Sequence, residues 1–426
     1  MKQQEPEIHV GVMQADEVTF CLHGCYDAPD GPVSGPAVCV LQQGLILWNG
    51  RLHARLTFTP RSHTDFFSLS SVSIGKGFHW QQTEEQQFFG TLILTVASGR
   101  IGVINRIGAE QYLQSVISSE MSAQSPSELL KAHAVISRSW LMHALGQRSV
   151  LPEPTGRTDA GRWIRWYERD AHRAYDVCAD DHCQRYQGFG RLLPAAVSAV
   201  QETRGEVLTS GGQVCDARFS KCCGGVTERF QTCWADTSFD YLQPVRDADR
   251  QPLPDLTDEA QARRWITSSP RAFCNTQDRT FLSRVLNLYD QPTTDFYRWQ
   301  VRYTAEQLTD LVNRRSGLDI GTVEDLAVMR RGASGRIEQL KIVGSHRTVV
   351  VGKELEIRRL LSETHLKSSA FVIDRAVDGS YVLTGAGWGH GVGLCQIGAA
   401  VMAAEGRDYR TVLAHYYPAA EIGRLW

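Results

Sequence analysis

GAEQYLQSVISSEM (residues 108–121) and SPSELLKAHAVISRSW (residues 125–140) are the two stretches that decide the fold of this 426-residue chain. Both place apolar residues three and four positions apart, which is the spacing of a buried helix face. Strand-like sequence runs directly into the first stretch, so the apolar period changes there from two to about 3.6. The pattern predicts an α+β fold, with a core of mixed strands and helices.

Four regions follow from the pattern on either side of these helices. Residues 1–87 hold short runs of β-forming residues between Gly, Pro and Asp, which predicts an N-terminal antiparallel β unit. Residues 88–235 contain the first part of the core, and residues 370–426 contain its C-terminal part. Residues 236–369 alternate helical and strand-like segments, which indicates an α/β insertion subdomain. A chain of this length is expected to form more than one packed unit.

Composition limits the partners that are open to the chain. A net charge of −2 provides no overall basic field, so nucleic acid and anionic lipid are disfavoured. No stretch approaches the roughly 20 apolar residues of a membrane-spanning segment. The start, MKQQEPEIHVGV, lacks the apolar part of an export signal. Eleven cysteines, with Cys222 and Cys223 adjacent, favour free thiols or metal ligation over a complete disulfide framework.

Glu120 is the candidate catalytic residue. It lies where the apolar face of the first helix ends and a loop begins. Desolvation at such a position raises the pKa of a carboxyl group, which a general acid at neutral pH requires. Arg138, within the buried stripe of the second helix, could orient or tune that carboxyl group. The alternative is that Glu120 caps the second helix or pairs with Arg138 for structure alone, and the two helices by themselves slightly favour it.

The stretch HRAYDVCADDHCQRYQG (residues 172–188) collects residue types that bind zinc. Thiolate and imidazole ligands suit a tetrahedral zinc ion, and a catalytic site keeps one position open. His172, Cys178 and Cys183 would be adequate ligands for such a site. The alternative is two buried free cysteines beside surface histidines.

Two glycine motifs complete the candidate site. In CCGG, Gly224 and Gly225 predict either a tight turn with positive φ or a cleft wall that a ligand approaches closely. In TGAGWGHGVGLCQIGA (residues 384–399), every second residue from 385 to 393 is glycine. If this segment is extended, Trp388 and His390 project from one face, which suits packing against a sugar ring. The glycine spacing does not fit either nucleotide-binding fingerprint.

Five motifs in order give the chain a resemblance to the SpoIID/LytB family, the sporulation protein D and amidase-enhancer proteins. They are GAEQYLQSVISSEM, ELLKAHAVISRSW, HCQRYQG, CCGGVTE and GWGHGVGLCQIGA followed by YRTVLAHYYPAAEI. The resemblance covers the regions from about 88 to 235 and from about 370 to 426. It implies a SpoIID-like core around a substrate cleft.

The resemblance also implies an activity and its residues. It implies a lytic transglycosylase that cleaves the bond between N-acetylmuramic acid and N-acetylglucosamine in glycan strands without stem peptides. The family's catalytic Glu falls on Glu120. A zinc site in some members falls on His172, Cys178 and Cys183. The interval between the two cysteines is one residue shorter here, which makes His182 a substitute ligand.

The remaining expectations concern binding, cofactors and location. Beside Arg138 as a second catalytic residue, the substrate-binding candidates are Trp388, His390, Gln396, Gly224 and Gly225. We expect one zinc ion and no organic cofactor, with peptidoglycan glycan strands as the partner. The main alternative is a non-catalytic glycan-binding enhancer of a cell-wall amidase, which would be a further partner. A zinc hydrolase ranks third. The family implies the cell envelope or periplasm, but the visible start leaves the cytoplasm open as well.

Overall fold

The computed structural model describes residues 4–74, 82–122, 124–147, 156–159, 161–167, 174–180, 182–287 and 293–426. Its strands form several sheets that pack with helices, so the predicted α+β class is confirmed. The chain divides into two compact units. The first unit comprises residues 1–150, 169–207 and 423–426, and the second comprises residues 151–168 and 208–422.

Ten strands precede the first helix. They are β1 (Glu7–Ala15), β2 (Glu17–Ala28), β3 (Gly31–Gln42), β4 (Leu45–Trp48), β5 (Arg51–His53), β6 (Arg55–Pro60), β7 (Phe66–Ile74), β8 (Gln82–Phe89), β9 (Thr91–Ala97) and β10 (Arg100–Gly108). Helices α1 (Ala109–Glu120) and α2 (Ser127–Gly146) follow. The chain continues with β11 (Gly156–Asp159), β12 (Arg162–Arg165), β13 (Val177–Cys178) and α3 (Pro194–Glu202).

One sheet organises the first unit. Its strand order is β13-β1-β10-β9-β6-β2-β3-β4-β5, and β7 pairs with β2 and β8. Neighbouring strands are antiparallel except β13, which runs parallel to β1. Because β1 pairs with β10 and β6 pairs with β9, strands from before and after residue 87 belong to the same sheet.

Helix α1 buries the apolar face that the sequence predicts. Tyr112, Leu113, Val116 and Ile117 are all fully buried, because their spacing of three and four residues places them on one side of the helix. Helix α2 is buried over most of its length, with no exposure at Leu130, Ala134 or Leu141.

Helix α2 begins at Ser127, with Pro126 at the N-cap. The pattern SPSE (residues 125–128) by itself predicts a start one residue earlier, with Ser125 at the N-cap and Glu128 in a capping box. Glu128 is therefore at the second helical position, where its carboxylate pairs with Lys131 at 2.9 Å instead of closing a box.

The remaining elements belong mainly to the second unit. They are β14 (Glu206–Ser210), β15 (Gln213–Val214), β16 (Phe219–Ser220), α4 (Phe230–Cys233), α5 (Glu259–Thr267), α6 (Arg279–Val285), β17 (Arg298–Tyr303), α7 (Ala305–Ser316), β18 (Val323–Arg331), β19 (Ile337–Gly344), β20 (Thr348–Gly352), α8 (Glu354–Leu360), β21 (Phe371–Arg375), β22 (Tyr381–Ala386), β23 (Leu394–Cys395), α9 (Gln396–Ala404), α10 (Tyr409–Tyr416) and β24 (Glu421–Arg424).

Two sheets and their helices form the main core of the second unit. The sheets have the orders β11-β12-β20-β19-β18 and β17-β22-β21. Apolar side chains from both sheets pack with those of α7 and α8, for example Leu308, Leu340 and Leu383. A short parallel pair, β16 with β23, joins residues 219–220 to residues 394–395. No helix in the described ranges is both long enough and apolar enough to span a membrane.

Candidate functional site

Glu120 is the last residue of α1, and its side chain is 9% exposed. The backbone N–H of Arg185 donates a hydrogen bond to Glu120 Oε1 at 3.3 Å. Across the part of the chain that the structure describes, no Lys, Arg or His side chain forms an ion pair with this carboxylate. Glu120 is thus a largely buried carboxyl group, and no cation among the described residues pairs with it.

The segment after β13 covers α1 beside Glu120. Tyr186 stacks on Tyr112 with ring centroids 5.1 Å apart, and the Tyr112 hydroxyl donates to Gln184 Oε1 at 3.3 Å. Burial raises the pKa of Tyr112 well above its ordinary value, and nearby Cys183, Cys178, Tyr186 and Glu120 raise it further. Tyr112 is therefore close to both Glu120 and the two cysteines.

Cys178, His182 and Cys183 form a cluster that could hold a metal ion. One ligand atom from each residue lies within 4.8 Å of the others. Cys183 Sγ is 3.7 Å from His182 Nδ1, and the Cys178 N–H donates to Cys183 Sγ at 3.4 Å. Pairing of β13 with β1 fixes Cys178 opposite Gly11. The predicted ligand His172 lies outside the described residues.

Three ligands in this arrangement fit a zinc ion. Zinc accepts thiolate and imidazole in a tetrahedron, and three protein ligands leave the fourth position open. The two cysteines are half-buried and His182 is exposed, so an ion from solvent can reach them. His182, the predicted substitute, is the histidine that the described structure brings to the two cysteines.

Arg138 pairs with Glu110 and not with Glu120. Its Nε and Nη2 atoms donate to the two carboxylate oxygens of Glu110 at 3.1 and 2.7 Å. Nη1 donates to the carbonyl oxygen of Glu206 at 2.9 Å, and Nη2 also reaches Val200 O at 3.3 Å. The buried arginine therefore holds the first turn of α1, the helix that carries Glu120 at its other end.

The glycine-rich segment is not extended beyond Ala386. In residues 387–393, which we call the glycine loop, Gly387, Gly389, Gly391 and Gly393 all have φ between +71° and +92°. The prediction of an extended chain with Trp388 and His390 on one face is wrong here, because these φ values turn the backbone at every second residue.

Close packing explains why glycine is needed in this loop. A Cβ atom at Gly391 would lie 2.4 Å from Cζ of the buried Arg336, and one at Gly393 would lie 2.0 Å from Arg218 O. Arg336 donates to the carbonyl oxygens of Gly389 and Cys223, at 2.9 and 3.1 Å. The backbone of Trp388 exchanges two hydrogen bonds with Cys222, at 2.8 and 3.0 Å. The structure thus brings the two glycine motifs together.

Trp388 and His390 are half-buried and have different neighbours. Trp388 stacks on Phe296 with centroids 5.0 Å apart, and Lys367 Nζ lies 5.1 Å from its ring. His390 meets the edge of Trp234 at 4.9 Å. Burial lowers the pKa of His390 well below its ordinary value, and the guanidinium groups of Arg218 and Arg336 lower it further. His390 is therefore neutral at pH 7.

The other predicted binding residues are buried within the second unit. Gly224 and Gly225 have φ of +82° and +105°, which confirms the tight turn. A Cβ on Gly225 would lie 2.8 Å from the Trp265 ring, and one on Gly224 would lie 3.0 Å from Gly387 N. Gln396, the first residue of α9, is 2% exposed.

Sequence reasoning missed a second group of metal-ligating residues, formed by Cys223, Asp247, Cys274 and Cys395. No two of these residues lie at the short spacings of known metal motifs, so no motif reveals the group. The odd number of cysteines was the available signal in the sequence. Glu120 and the cluster of Cys178, His182 and Cys183 belong to the first unit, whereas both glycine motifs and this second group belong to the second unit.

Two parts of the chain match known families. Residues 97–210 match the family described as Stage II sporulation protein. Residues 228–393 match the family described as Domain of unknown function (DUF8618). The first match includes Glu120, Arg138 and the cysteine-histidine cluster.

Several whole proteins are similar to the chain. An uncharacterized protein of Brachyspira hyodysenteriae is 26% identical over 337 residues, which cover 79% of this chain and 72% of that protein. Stage II sporulation protein D of Bacillus subtilis is 23% identical over 322 residues, 75% of each chain. The Amidase enhancer of Bacillus subtilis is 25% identical over 323 residues, which cover 72% of this chain and 39% of the enhancer. The match over residues 97–210 and these relatives support the predicted resemblance of the chain to the SpoIID/LytB family.

Proposed function

We propose that the chain acts on the peptidoglycan of the bacterial cell wall, as a lytic transglycosylase that cleaves between N-acetylmuramic acid and N-acetylglucosamine. The relatives named Stage II sporulation protein D and Amidase enhancer support a function related to the cell wall. The observation that carries the specific reaction is the buried carboxyl group of Glu120, which lies beside the cysteine-histidine cluster without a cation partner among the described residues.

The structural alternatives for Glu120 are weakened by the positions of their partners. Arg138 is bound to Glu110, and Pro126 occupies the N-cap of α2. Within the described residues the buried carboxyl group of Glu120 has neither an ion pair nor a capping role. Such a group is costly to keep, which favours a functional role.

One carboxyl group is enough for lytic cleavage. Protonated Glu120 donates its proton to the glycosidic oxygen, and the bond from that oxygen to the anomeric carbon of N-acetylmuramic acid breaks. The Glu120 carboxylate then accepts the proton of the C6 hydroxyl as its oxygen attacks the anomeric carbon. The products are a free 4-hydroxyl on the leaving sugar and a 1,6-anhydro ring, so no water is consumed.

Zinc would have a supporting role in this mechanism. Cys178, Cys183 and His182 would hold the ion, and bound zinc would supply a fixed positive charge near Glu120. Trp388 and His390 are the proposed contacts for the glycan. Arg138 acts as a positioning residue, because it holds the first turn of α1 through Glu110.

Replacing Glu120 tests the proposal. Glu120→Gln should abolish the release of 1,6-anhydro products from stem-peptide-free glycan strands, measured by mass spectrometry, because the amide cannot exchange the proton. Glu17→Gln, at an exposed carboxyl group of the same unit, is the matched control and should keep full activity.

The main alternative is a non-catalytic enhancer of a cell-wall amidase, which the relative of that name supports. An enhancer would bind glycan and stimulate an amidase equally well with Glu120→Gln. Unchanged turnover by Glu120→Gln would reject the catalytic assignment, and stimulation of an amidase by the same variant would support the enhancer.

A further inference from the structure

Three cysteines and one aspartate meet inside the second unit. One ligand atom from each of Cys223, Asp247, Cys274 and Cys395 lies within 4.8 Å of the other three. All four residues are buried, and the three thiols are free. They come from four parts of the chain: the segment after β16, the two loops on either side of α5, and the end of β23.

The distances fit the coordination shell of one ion. Cys223 Sγ and Cys274 Sγ are 3.7 Å apart, which is far beyond the roughly 2.05 Å of a disulfide bond. Two thiolates on one tetrahedral zinc ion, each about 2.3 Å from the metal, lie about 3.8 Å apart. The spacing of the two sulfurs therefore matches a shared zinc ion.

Backbone donors already point at two of the sulfurs. The N–H of Cys223 donates to Cys395 Sγ at 3.2 Å, and the N–H of Gly225 donates to Cys223 Sγ at 3.3 Å. Such N–H donors stabilise metal-bound thiolates by offsetting part of their negative charge. Gly224, which lies between these two residues, has a positive φ of +82°, and this turn directs the Gly225 N–H back toward Cys223.

Asp247 is held in the same way. The Cys274 N–H donates to its Oδ2 at 2.9 Å, and the Tyr416 hydroxyl donates to its Oδ1 at 2.6 Å. A Cβ at Gly398 would lie 2.4 Å from Oδ1, so only glycine lets α9 approach this carboxylate. Four potential anions in one buried place are unfavourable without a cation, since charge burial is costly unless it is compensated.

We propose that the second unit contains one structural zinc ion with four protein ligands: Cys223, Asp247, Cys274 and Cys395. We call these residues the Cys3Asp site. Thiolate ligands select zinc over magnesium and calcium, which prefer oxygen. Four protein ligands close the tetrahedron, so this zinc has no open position for substrate or water.

The site ties together distant parts of the second unit. Cys223 and Cys395 lie just outside the matched range 228–393, and Asp247 and Cys274 lie inside it. One ion would therefore fasten both ends of this region to its interior. This role does not depend on the proposed catalysis by Glu120.

Metal analysis of purified protein tests the site. Both proteins are kept reduced and are never exposed to chelators. The Cys274→Ser variant should then contain one zinc ion per chain fewer than the wild type. Cys215→Ser is the matched control, because Cys215 is a buried free cysteine of the same unit but is not one of the four ligands. The control should keep its zinc. Cys178→Ser reports separately on the cysteine-histidine cluster of the first unit.

Two further measurements follow the bound metal by its spectrum and the oxidation state of the cysteines in the wild-type protein. Replacing zinc with Co²⁺ should give the visible bands of a tetrahedral ion and thiolate charge-transfer bands. The part of this absorbance that comes from the Cys3Asp site should be absent from Cys274→Ser. It should remain in Cys178→Ser. Wild-type protein without bound zinc, or retention of all zinc by Cys274→Ser, would overturn the proposal. A Cys223–Cys274 disulfide found by alkylation and mass spectrometry would overturn it, and so would iron in place of zinc.

Discussion

Among the described residues of the first unit, Glu110 and Arg138 form the most completely buried ion pair that joins two helices. Arg138 has no exposed surface and the Glu110 side chain is 6% exposed. Besides Arg138, the Glu110 carboxylate accepts hydrogen bonds from Gly205 N at 3.0 Å and from Trp426 Nε1 at 2.9 Å. The presence of such a pair does not by itself show that it increases the free energy of unfolding. Removal of one partner, however, leaves the other as an uncompensated buried charge.

We expect Arg138→Met to lower the free energy of unfolding by about 3–5 kcal/mol, because Glu110 stays buried without its cation. The loss would be measured by urea-induced unfolding. Glycan cleavage should fall as well, since the first turn of α1 loses its anchor.

Arg302→Met is the control for this prediction. Arg302 pairs with Asp378 at 2.6 Å, but the two side chains are 55% and 60% exposed. Solvent screens such a pair, so the control should change stability much less. Equal losses in the two variants would contradict the role assigned to the buried pair.

Single residues of the site were predictable to different degrees. Glu120 follows from the apolar face of α1, because a helix repeats every 3.6 residues and needs only local sequence. The partner of Arg138 was not predictable, since both Glu110 and Glu120 lie on the same helix and only packing selects between them. The Cys3Asp site depends on contacts between residues far apart in sequence, which no local pattern reports.

At the scale of elements, the glycine loop of residues 387–393 depends on an arginine beneath it. Arg336 is fully buried and occupies the space beside Gly391, where it also bonds to Gly389 and Cys223. Gly379, in the turn between β21 and β22, has a similar φ of +81° but open space around it. A comparison of substitutions at these two glycines therefore distinguishes the cost of backbone strain, which both share, from the cost of crowding, which only Gly391 has.

Gly391→Ala should destabilise the protein more than Gly379→Ala. Both substitutions place a Cβ at positive φ, which costs roughly 1–2 kcal/mol. At Gly391 the added methyl group also displaces Arg336, and overpacking of this kind costs about 1–3 kcal/mol more. Thermal unfolding of the two variants would measure the difference. Equal midpoints would show that Arg336 moves aside freely.

Helix starts show how far element boundaries can be read from sequence. The sequence before α7 forms a complete capping box, in which Thr304 Oγ1 accepts from Gln307 N and Gln307 Oε1 accepts from Thr304 N. Helix α2 instead has Pro126 at its N-cap, without a side-chain cap. In its first turn Glu128 pairs with Lys131, whose ammonium group also contacts Glu202 of α3.

At the scale of the whole molecule, half-buried neutral histidines make stability depend on pH. Burial lowers the pKa of His365 to about 4, with nearby Arg358 adding to the effect. Burial also lowers the pKa of His390 and of His415. The unfolded chain binds protons at these residues near pH 6.5, whereas the folded chain does not. Stability attributable to them therefore falls as the pH decreases from about 7 toward 4.

His365→Gln should reduce this dependence. As the pH falls from about 6 to 4.5, the wild type should lose stability relative to the variant. The loss in unfolding free energy should be up to about 1.4 kcal/mol per pH unit. Urea-induced unfolding at several pH values would measure it. The comparison at each pH cancels the contribution of Asp247, whose pKa burial raises to about 6. A pH-independent difference would contradict a neutral His365.

The class of the fold was predictable, but the way in which strands combine was not. Alternating β-forming runs and the two helical stretches give α+β directly. The pairing of β1 with β10 and of β6 with β9 joins residues more than 30 positions apart, and register across such distances depends on packing. The same limit applies to β16 with β23, which brings the two glycine motifs together.

The contact between Glu110 and Trp426 has a consequence for synthesis of the chain. Residues 423–426 belong to the first unit, and Leu425 N also donates to Gly205 O at 2.9 Å. A ribosome releases the strands of the first unit and α1 long before it adds these residues, and domains usually fold as they emerge. The pair of Glu110 with Arg138 must therefore form first without one of its donors. The first unit reaches its final hydrogen bonding only when translation of residue 426 is finished.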